Sequence, residues 1–323
     1  MRDSREPAQQ TALWCVAPGV AELRAEAPRA PGPGECLVRA LYSGISRGTE
    51  RLVLAGRVPE SQWPVMRAPL MAGEFPFPVK YGYAVVGERE DGSRVFCLHP
   101  HQDLFVAPEA MCVAVPEAVP SRRAVLAANM ETAVNILWDA APLVGERVLV
   151  VGAGVVGLLS AFLLAKLPGV EVAVCDVDAS RADLVEAFGA RFVLPADAPG
   201  ERDLVVHASA SQAGLRLALR CCGFEARVVE ASWYGDAEVA LPLGEGFHAK
   251  RLKLVSSQVG AVASVMRGRR THGERLGLAL RLLDDTRLEA LLGPDVAFDA
   301  LPAALPGLLA AGASGLCPVV SYI

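Results

Sequence analysis

The sequence predicts an α/β protein in which a doubly wound parallel-sheet domain is set inside a mostly β domain. Three observations carry that expectation. From Thr11 to about Val119 the chain is a series of short apolar runs broken by Pro and Gly. After that, strand and helix patterns alternate, beginning with RVLVVGAG at 147–154. A glycine-spaced turn, Gly152, Gly154 and Gly157, joins the first of these strands to the first helix.

The elements follow in order. ECLVRALYSGI at 35–45, KYGYAVVGE at 80–88 and SRVFCLHP at 93–100, the last after an Asp91-Gly92 turn, read as strands of the leading β part. The proline-bounded VPEAVPSRRA at 115–124 marks the change of texture. RVLVV, EVAVCDVD, DLVVHASA, ARVVEASWYG and KLVSSQVG then read as parallel strands, with VGLLSAFLLAKL and ASRADLVEAFGA as crossover helices. Beyond them ERLGLALRLLDD places Leu276, Ala279, Leu280 and Leu283 at helical spacing. The last stretch, from Phe298, reads as a helix that Pro306 ends or kinks, followed by a terminal strand. The expected borders are 1–126, 127–262 and 263–323.

Composition narrows the function. The 323 residues give room for two domains, and 52% hydrophobic against 21% charged residues excludes a disordered or fibrous chain. A net charge of -5 and no basic run longer than Arg267 to Arg270 argue against nucleic acid as a partner. The eight cysteines form no CxxC and no zinc-type cluster with histidine, so free, mostly buried thiols are expected. The start, MRDSREPAQQ, is polar and charged rather than a secretion signal, which points to a cytoplasmic protein. Val148 to Ala165 carries no charge and approaches the length of a membrane span, but its three glycines divide it into strand, turn and helix.

The glycine turn has a specific chemistry. Gly152 permits the tight turn, Gly154 lets backbone amides approach a pyrophosphate at a helix N-terminus, and Gly157 allows close packing of helix on strand. Val155 and Val156 complete the turn. Asp176 follows at roughly the 20-residue distance of a carboxylate that accepts the adenosine ribose hydroxyls, and it would repel a 2'-phosphate. NAD is therefore expected, with NADP possible because Arg181 lies just downstream and can pair with phosphate. Two other readings stand beside this: Asp176 and Asp178 as a solvated strand end, and S-adenosylmethionine as the ligand.

With SGISRGTE at 43–50, YGYAVVGE at 81–88, VGAGVVG at 151–157 and the closing FDALPAAL and GLCPVVSYI, the chain resembles the medium-chain dehydrogenase/reductase superfamily over nearly its whole length. The resemblance implies a GroES-like β-rich domain with an inserted Rossmann domain and a C-terminal return segment. It also exposes departures. Where zinc-dependent members carry a cysteine and a histidine-glutamate pair, this chain has Ser46 and, after Gly82, Tyr83-Ala84; near the third ligand stand Met130 and Glu131. The structural zinc lobe is missing as well, since VFCLHPHQDLFVAP carries Cys97 alone. No zinc is expected. Together with SWYGD and GFHAKRLKLVSSQVG, these features resemble the branch that contains bacteriochlorophyllide 2-desacetyl-2-hydroxyethyl dehydrogenase.

What the resemblance implies about the site is correspondingly metal-free. Ser46, Thr49, Glu50 and Tyr83 surround the old metal pocket, making Tyr83 or Ser46 a candidate hydrogen-bond donor to substrate oxygen and Glu50 a candidate base. Tyr83 as a packed core residue, and Glu50 as a partner of Arg47 or Arg51, are the alternatives. His248, close to Lys250 and Arg251, is a catalytic candidate that could hold an anionic substrate or relay a proton, with a surface-loop residue as the alternative. His99 and His101 read as structural. For the cofactor, the resemblance implies Arg47 near the pyrophosphate and Thr132 beside the nicotinamide. It adds Ala208 and Ser209 after one strand, Ser232 and Trp233 after the next, and Ser257, Gln258 and Val259 at the carboxamide. The expected function is hydride transfer between NAD(P) and an alcohol or carbonyl in a homodimer paired through the strand near SSQVG. The alternatives are enone double-bond reduction and, in another class, a non-catalytic dinucleotide sensor or scaffold.

Overall fold

The computed structural model describes residues 10–27, 29–310, 312–313 and 315–323; the polar start MRDSREPAQ lies outside them. The chain forms two compact units. One holds the residues up to Ala128 with Leu280–Asp284 and Leu291–Ile323, the other Asn129–Ala279 and Asp285–Ala290.

In chain order the first unit contributes β1 (Gln10–Ala17), β2 (Val20–Glu26), β3 (Glu35–Gly44), α1 (Arg47–Leu54), β4 (Ala72–Gly73), β5 (Val79–Lys80), β6 (Val85–Arg89), β7 (Arg94–Cys97), β8 (Leu104–Pro108), β9 (Val113–Ala114) and α2 (Ser121–Ala124). Helix α3 (Ala127–Ala140) leads into the second unit. There β10 (Arg147–Val151), α4 (Val155–Leu164), β11 (Glu171–Cys175), α5 (Ala182–Ala187), β12 (Arg191–Val193), β13 (Arg202–His207), α6 (Gln212–Cys221), β14 (Cys222–Glu230), β15 (Lys253–Ser256) and α7 (His272–Leu282) follow one another. The first unit closes with β16 (Leu292–Ala297), α8 (Leu301–Leu308) and β17 (Cys317–Ser321).

The first unit is built on two sheets, one of order β2-β1-β5-β4 and one of order β16-β17-β3-β6-β7-β9 with β8 also on β3. The terminal strand is held by β3, with Val319 opposite Gly44 and Ser321 opposite Tyr42. Its core includes Val38, Ala40, Val85, Val95, Cys97, Phe105 and Ala107, the inward residues of neighbouring strands. Pro306 lies inside α8, which runs on to Leu308 before it ends.

The second unit is a single parallel sheet of order β12-β11-β10-β13-β14-β15. Its central strands read as apolar runs because both faces are covered; Val148, Leu149 and Val150 are fully buried. Helix α4 is buried from Gly157 to Leu164, so it shows no polar stripe. That accounts for the span-like stretch in the sequence, and among the described residues no helix is long and apolar enough to cross a membrane. Strand order reverses between β10 and β13, which opens a crevice at their carboxyl ends.

The second unit runs past the expected border at 262 as far as Ala279. The reason is electrostatic. Arg275, 1% exposed, donates to Glu131 Oε1 at 3.0 Å, to Asn135 Oδ1, and to the carbonyls of Val259 and Ala261. A buried guanidinium needs this full set of acceptors, and all of them lie in this unit.

Candidate functional site

Among the described residues, each unit carries a constellation of candidate site side chains. In the second it lies at the crevice between β10 and β13. Gly152 adopts φ +108, and a Cβ there would stand 2.8 Å from the Ser209 amide nitrogen and 2.9 Å from the Ala208 carbonyl carbon. At Gly157 a Cβ would fall 1.9 Å from the Gly152 oxygen, so only glycine lets α4 approach the turn. Gly154, the N-cap of α4, has nothing within 4 Å of its Cβ position and has no side-chain cap. The turn thus presents open backbone at a helix N-terminus, which fits a diphosphate. Val155 and Val156 form the first turn of α4.

Asp176 directly follows β11 and binds the turn: Oδ2 accepts the Ala153 N–H at 2.6 Å and Oδ1 the Asp178 N–H at 2.9 Å. It is therefore a held carboxylate at the crevice rather than a loose strand end. Arg181 pairs with Asp178 at 3.1 Å. Just beyond the carboxyl ends of β13 and β14 stand Ser209 and Ser232; the Ser232 Oγ accepts the Ala210 N–H at 3.0 Å. Trp233 beside it is partly buried.

Sequence reasoning missed the residues that organise this edge. His207 and Glu230 are register partners at the ends of β13 and β14. His207 is fully buried; its Nδ1 lies 2.7 and 2.9 Å from the two Glu230 oxygens, and its Nε2 lies 2.7 Å from Ser209 Oγ. The signal was present as a polar residue ending each of two apolar strands, DLVVH and RVVE.

The remaining cofactor candidates of this unit, and the catalytic candidate His248, are placed as follows. Thr132 lies in α3, partly buried. Ser257 donates to Asp139 at 2.7 Å, Gln258 is exposed, and the Val259 carbonyl is held by Arg275. His248 is exposed, and its basic neighbours are engaged elsewhere: Lys250 with the Cys222 carbonyl and Glu201, Arg251 with Glu225. The surface-loop reading of His248 fits this arrangement better than an anion contact.

In the first unit the polar constellation is centred on α1. Ser46 is its N-cap residue and donates its amide to Glu50 Oε1 at 2.7 Å. Glu50 is buried, and its Oε2 lies 3.0 Å from His101 Nε2. His101 continues the chain of contacts through Nδ1 to Ser43 Oγ at 2.7 Å, and Ser43 to the Tyr322 hydroxyl at 3.0 Å. Tyr83 joins through its hydroxyl, which bonds the side chains of Ser46 and Thr49. Burial and then the Glu50 carboxylate push the Tyr83 phenol up to about 12, so it is protonated near neutrality and acts as a donor. Gly82, at φ +124, makes this possible, since a Cβ there would stand 2.8 Å from His101 Cδ2.

His101 is thus the residue on which Glu50 rests. His99 is different: its ring stacks on Phe105 at 3.7 Å, and burial lowers its pKa to about 3, which suits a structural role. Arg47, expected at a pyrophosphate, donates within its own unit to the carbonyls of Leu308, Ala313 and Gly315. All eight cysteines are free; burial, followed by the Glu50 charge, pushes Cys317 up to about 12.

The donor set does not suit zinc. Ser46, Tyr83 and Ala84 occupy the places where the resemblance puts metal ligands, and Met130 is buried in α3. Among the described residues no group of three His, Cys, Asp or Glu side chains converges on a metal site.

Residues 129–220 match the family described as alanine dehydrogenase/PNT, C-terminal domain. No curated protein matches in sequence. Among solved structures, a short chain alcohol dehydrogenase (rspB) from Escherichia coli CFT073, complexed with NADH, superposes with TM-score 0.76 at 16% identity, over 98% of this chain and 100% of that one. A thermostable alcohol dehydrogenase from Pyrobaculum aerophilum gives TM-score 0.77 at 22% identity, over 97% and 100%. Benzyl alcohol dehydrogenase from Acinetobacter calcoaceticus gives 0.77 at 15%, over 98% and 100%. At these identities the likeness is one of fold: the chain has the fold of the medium-chain alcohol dehydrogenases, a GroES-like β-rich domain with an inserted Rossmann domain.

Proposed function

We propose that this protein is an NAD(H)-dependent oxidoreductase that interconverts an alcohol and its carbonyl compound without zinc. The observation that carries the reading is the glycine turn at Gly152 to Gly157, with open backbone at Gly154 and the held carboxylate of Asp176 at the ribose position. Asp176 favours NAD over NADP because its charge opposes a 2'-phosphate, and Arg181 is already paired with Asp178.

The nicotinamide, when bound, supplies or accepts the hydride. The chain's own task is to handle the oxygen and its proton. Tyr83 donates a hydrogen bond to the substrate oxygen, in the role a Lewis acid would otherwise fill. As negative charge develops on that oxygen during reduction, the Tyr83 proton moves to it, an alkoxide being a stronger base than the phenolate left behind. Ser46 and Thr49 steady that phenolate through their hydroxyls. Glu50, fixed by the Ser46 amide and His101, keeps the hydroxyl cluster oriented and, in the opposite direction, is the base that takes up the proton an alcohol gives through Tyr83 as it is oxidised.

The edge strand β15 carries part-exposed Leu254 (38%) and Val255 (37%), and a homodimer would form through it. The test is stopped-flow absorbance of NADH with a panel of alcohols, ketones and enones, alongside elemental analysis. Turnover of a ketone or alcohol by zinc-free protein, reduced at least tenfold by Tyr83→Phe, is the expected result. Stoichiometric zinc would overturn the metal-free reading, turnover of enones alone would make the protein a double-bond reductase, and tight NADH binding without turnover would make it a sensor.

A further inference from the structure

The carboxyl edge of the parallel sheet carries a serine, a histidine and a carboxylate in a linear relay that the hydride chemistry does not require. Glu230 receives three donors, which hold it ionised: the Ser232 amide at 2.7 Å, the Tyr234 hydroxyl at 3.0 Å and His207 Nδ1 at 2.7 Å. This carboxylate fixes the histidine. With Nδ1–H committed to Glu230, neutral His207 has its lone pair on Nε2, and the only proton that can fill the 2.7 Å gap to Ser209 Oγ is the serine's own. Ser211, whose Oγ accepts the Gly214 amide, donates its hydroxyl to Ser209 across 2.9 Å. Ser209 is left with an outward lone pair on an oxygen whose proton is drawn inward.

Two features show that the arrangement is built. A Cβ on Gly214 would stand 2.3 Å from Ser209 Oγ and 2.8 Å from His207 Nε2, so α6 reaches the pair only because residue 214 has no side chain. Ala210 takes the left-handed conformation, φ 49, to turn the chain after Ser209. The Ser209 backbone also abuts Gly152 at the reversal of strand order, which sets the relay at the mouth of the crevice.

We propose that Glu230, His207 and Ser209 form a proton-responsive relay that makes Ser209 Oγ a strengthened hydrogen-bond acceptor for a sugar hydroxyl or amide N–H of a dinucleotide bound at this crevice, with His207 as the positioning residue. This rests on the dinucleotide reading above. When His207 takes up a second proton, Nε2–H donates to Ser209, the serine hydroxyl turns outward as a donor, and the acceptor is lost. The titratable groups facing His207 are Glu230 from β14 and the Tyr234 phenol, whose ring stacks on the imidazole at 6.4 Å. Ser209, Ser211 and Ser232 face it with hydroxyls, and α6 with Gly214. Burial works to raise the Glu230 carboxyl, but the hydrogen bond and charge of His207 outweigh it and hold Glu230 below the usual carboxylate range, while burial and Glu230 raise the Tyr234 phenol.

The experiment is a fluorescence titration of the full-length protein with NADH from pH 5 to 8, for wild type, Ser209→Ala, His207→Asn and Glu230→Gln. Wild-type affinity should fall about tenfold toward the acid end, the size of one strengthened hydrogen bond. Ser209→Ala and His207→Asn should bind about tenfold more weakly at pH 8, with a flat pH profile. Ser209 is part-exposed, so its alanine variant keeps the fold and supplies the readout if Glu230→Gln does not fold. Variants that bind NADH like wild type, or that keep the wild-type pH profile, overturn the relay while leaving the dinucleotide reading intact. Failure of the wild type to bind NADH at any pH overturns both.

Discussion

His101 Nε2 lies 3.0 Å from Glu50 Oε2, and both side chains are almost wholly withdrawn from solvent. The pair bridges residues that are 51 apart in sequence, and it ties the helix carrying Ser46 and Thr49 to the segment after β7. Removing one member leaves the other buried with unmet hydrogen-bonding capacity. His101→Ala is expected to destabilise the protein by about 3 kcal/mol, read as a lower urea midpoint at an unchanged slope. A variant as stable as wild type would show that the pair does not hold this part of the fold.

Gly157→Ala tests the diphosphate cradle. The added methyl would fall 1.9 Å from the Gly152 oxygen, a position that only movement of the turn can relieve. A loss of about 1–3 kcal/mol in stability is expected from the overpacking. NADH affinity should drop by more than about tenfold, because the displaced turn no longer aims its amides at the diphosphate. Unchanged affinity in a folded variant would place the dinucleotide elsewhere.

Asp176→Ser tests cofactor choice. The carboxylate is fixed by the Ala153 and Asp178 amides, so its charge stays at the ribose position. Serine removes the repulsion toward a 2'-phosphate, and the ratio of NADPH to NADH affinity should rise about tenfold in fluorescence titrations. A ratio that does not move would assign discrimination to another residue.

Asp285 gives a pH dependence of stability. Its hydrogen bonds to Arg287, working against partial burial, lower its pKa to about 2, with Lys166 adding a smaller attraction. The unfolded value is about 3.9, so the folded state binds the proton less readily. The contribution is therefore complete above about pH 4 and is lost as the pH falls toward 2. Solvent screening at this part-exposed site limits it to about 1 kcal/mol. The urea midpoints of wild type and Asp285→Asn should differ at pH 7 and converge in acid; a constant difference would contradict the assignment.

What the sequence made legible was local in kind. The glycine turn and Asp176 declare themselves by spacing within one strand-turn-helix-strand unit, and the central strands β10, β11 and β13 by their apolar runs. The polar constellations are not local. His101 reaches Glu50 only because β3, α1 and the segment after β7 converge, and no periodicity in VFCLHPHQDL marks that histidine. His207 and Glu230 meet through parallel pairing, whose register the sequence does not state. The same limit moved the second unit's end: ERLGLALRLLDD announces a helix, but nothing in its pattern tells that Arg275 turns inward to Glu131.

That last contact bears on any attempt to divide the protein. A fragment cut after residue 262 would retain the Glu131 carboxylate in α3 while discarding its guanidinium partner, and the carbonyls of Val259 and Ala261 would lose their donor with it. The smallest piece of the second unit that keeps this cluster whole must include α7, although the final turn of α7 belongs to the other unit. One helix is thereby shared covalently, and the excised piece should precipitate or unfold unless that helix travels with it.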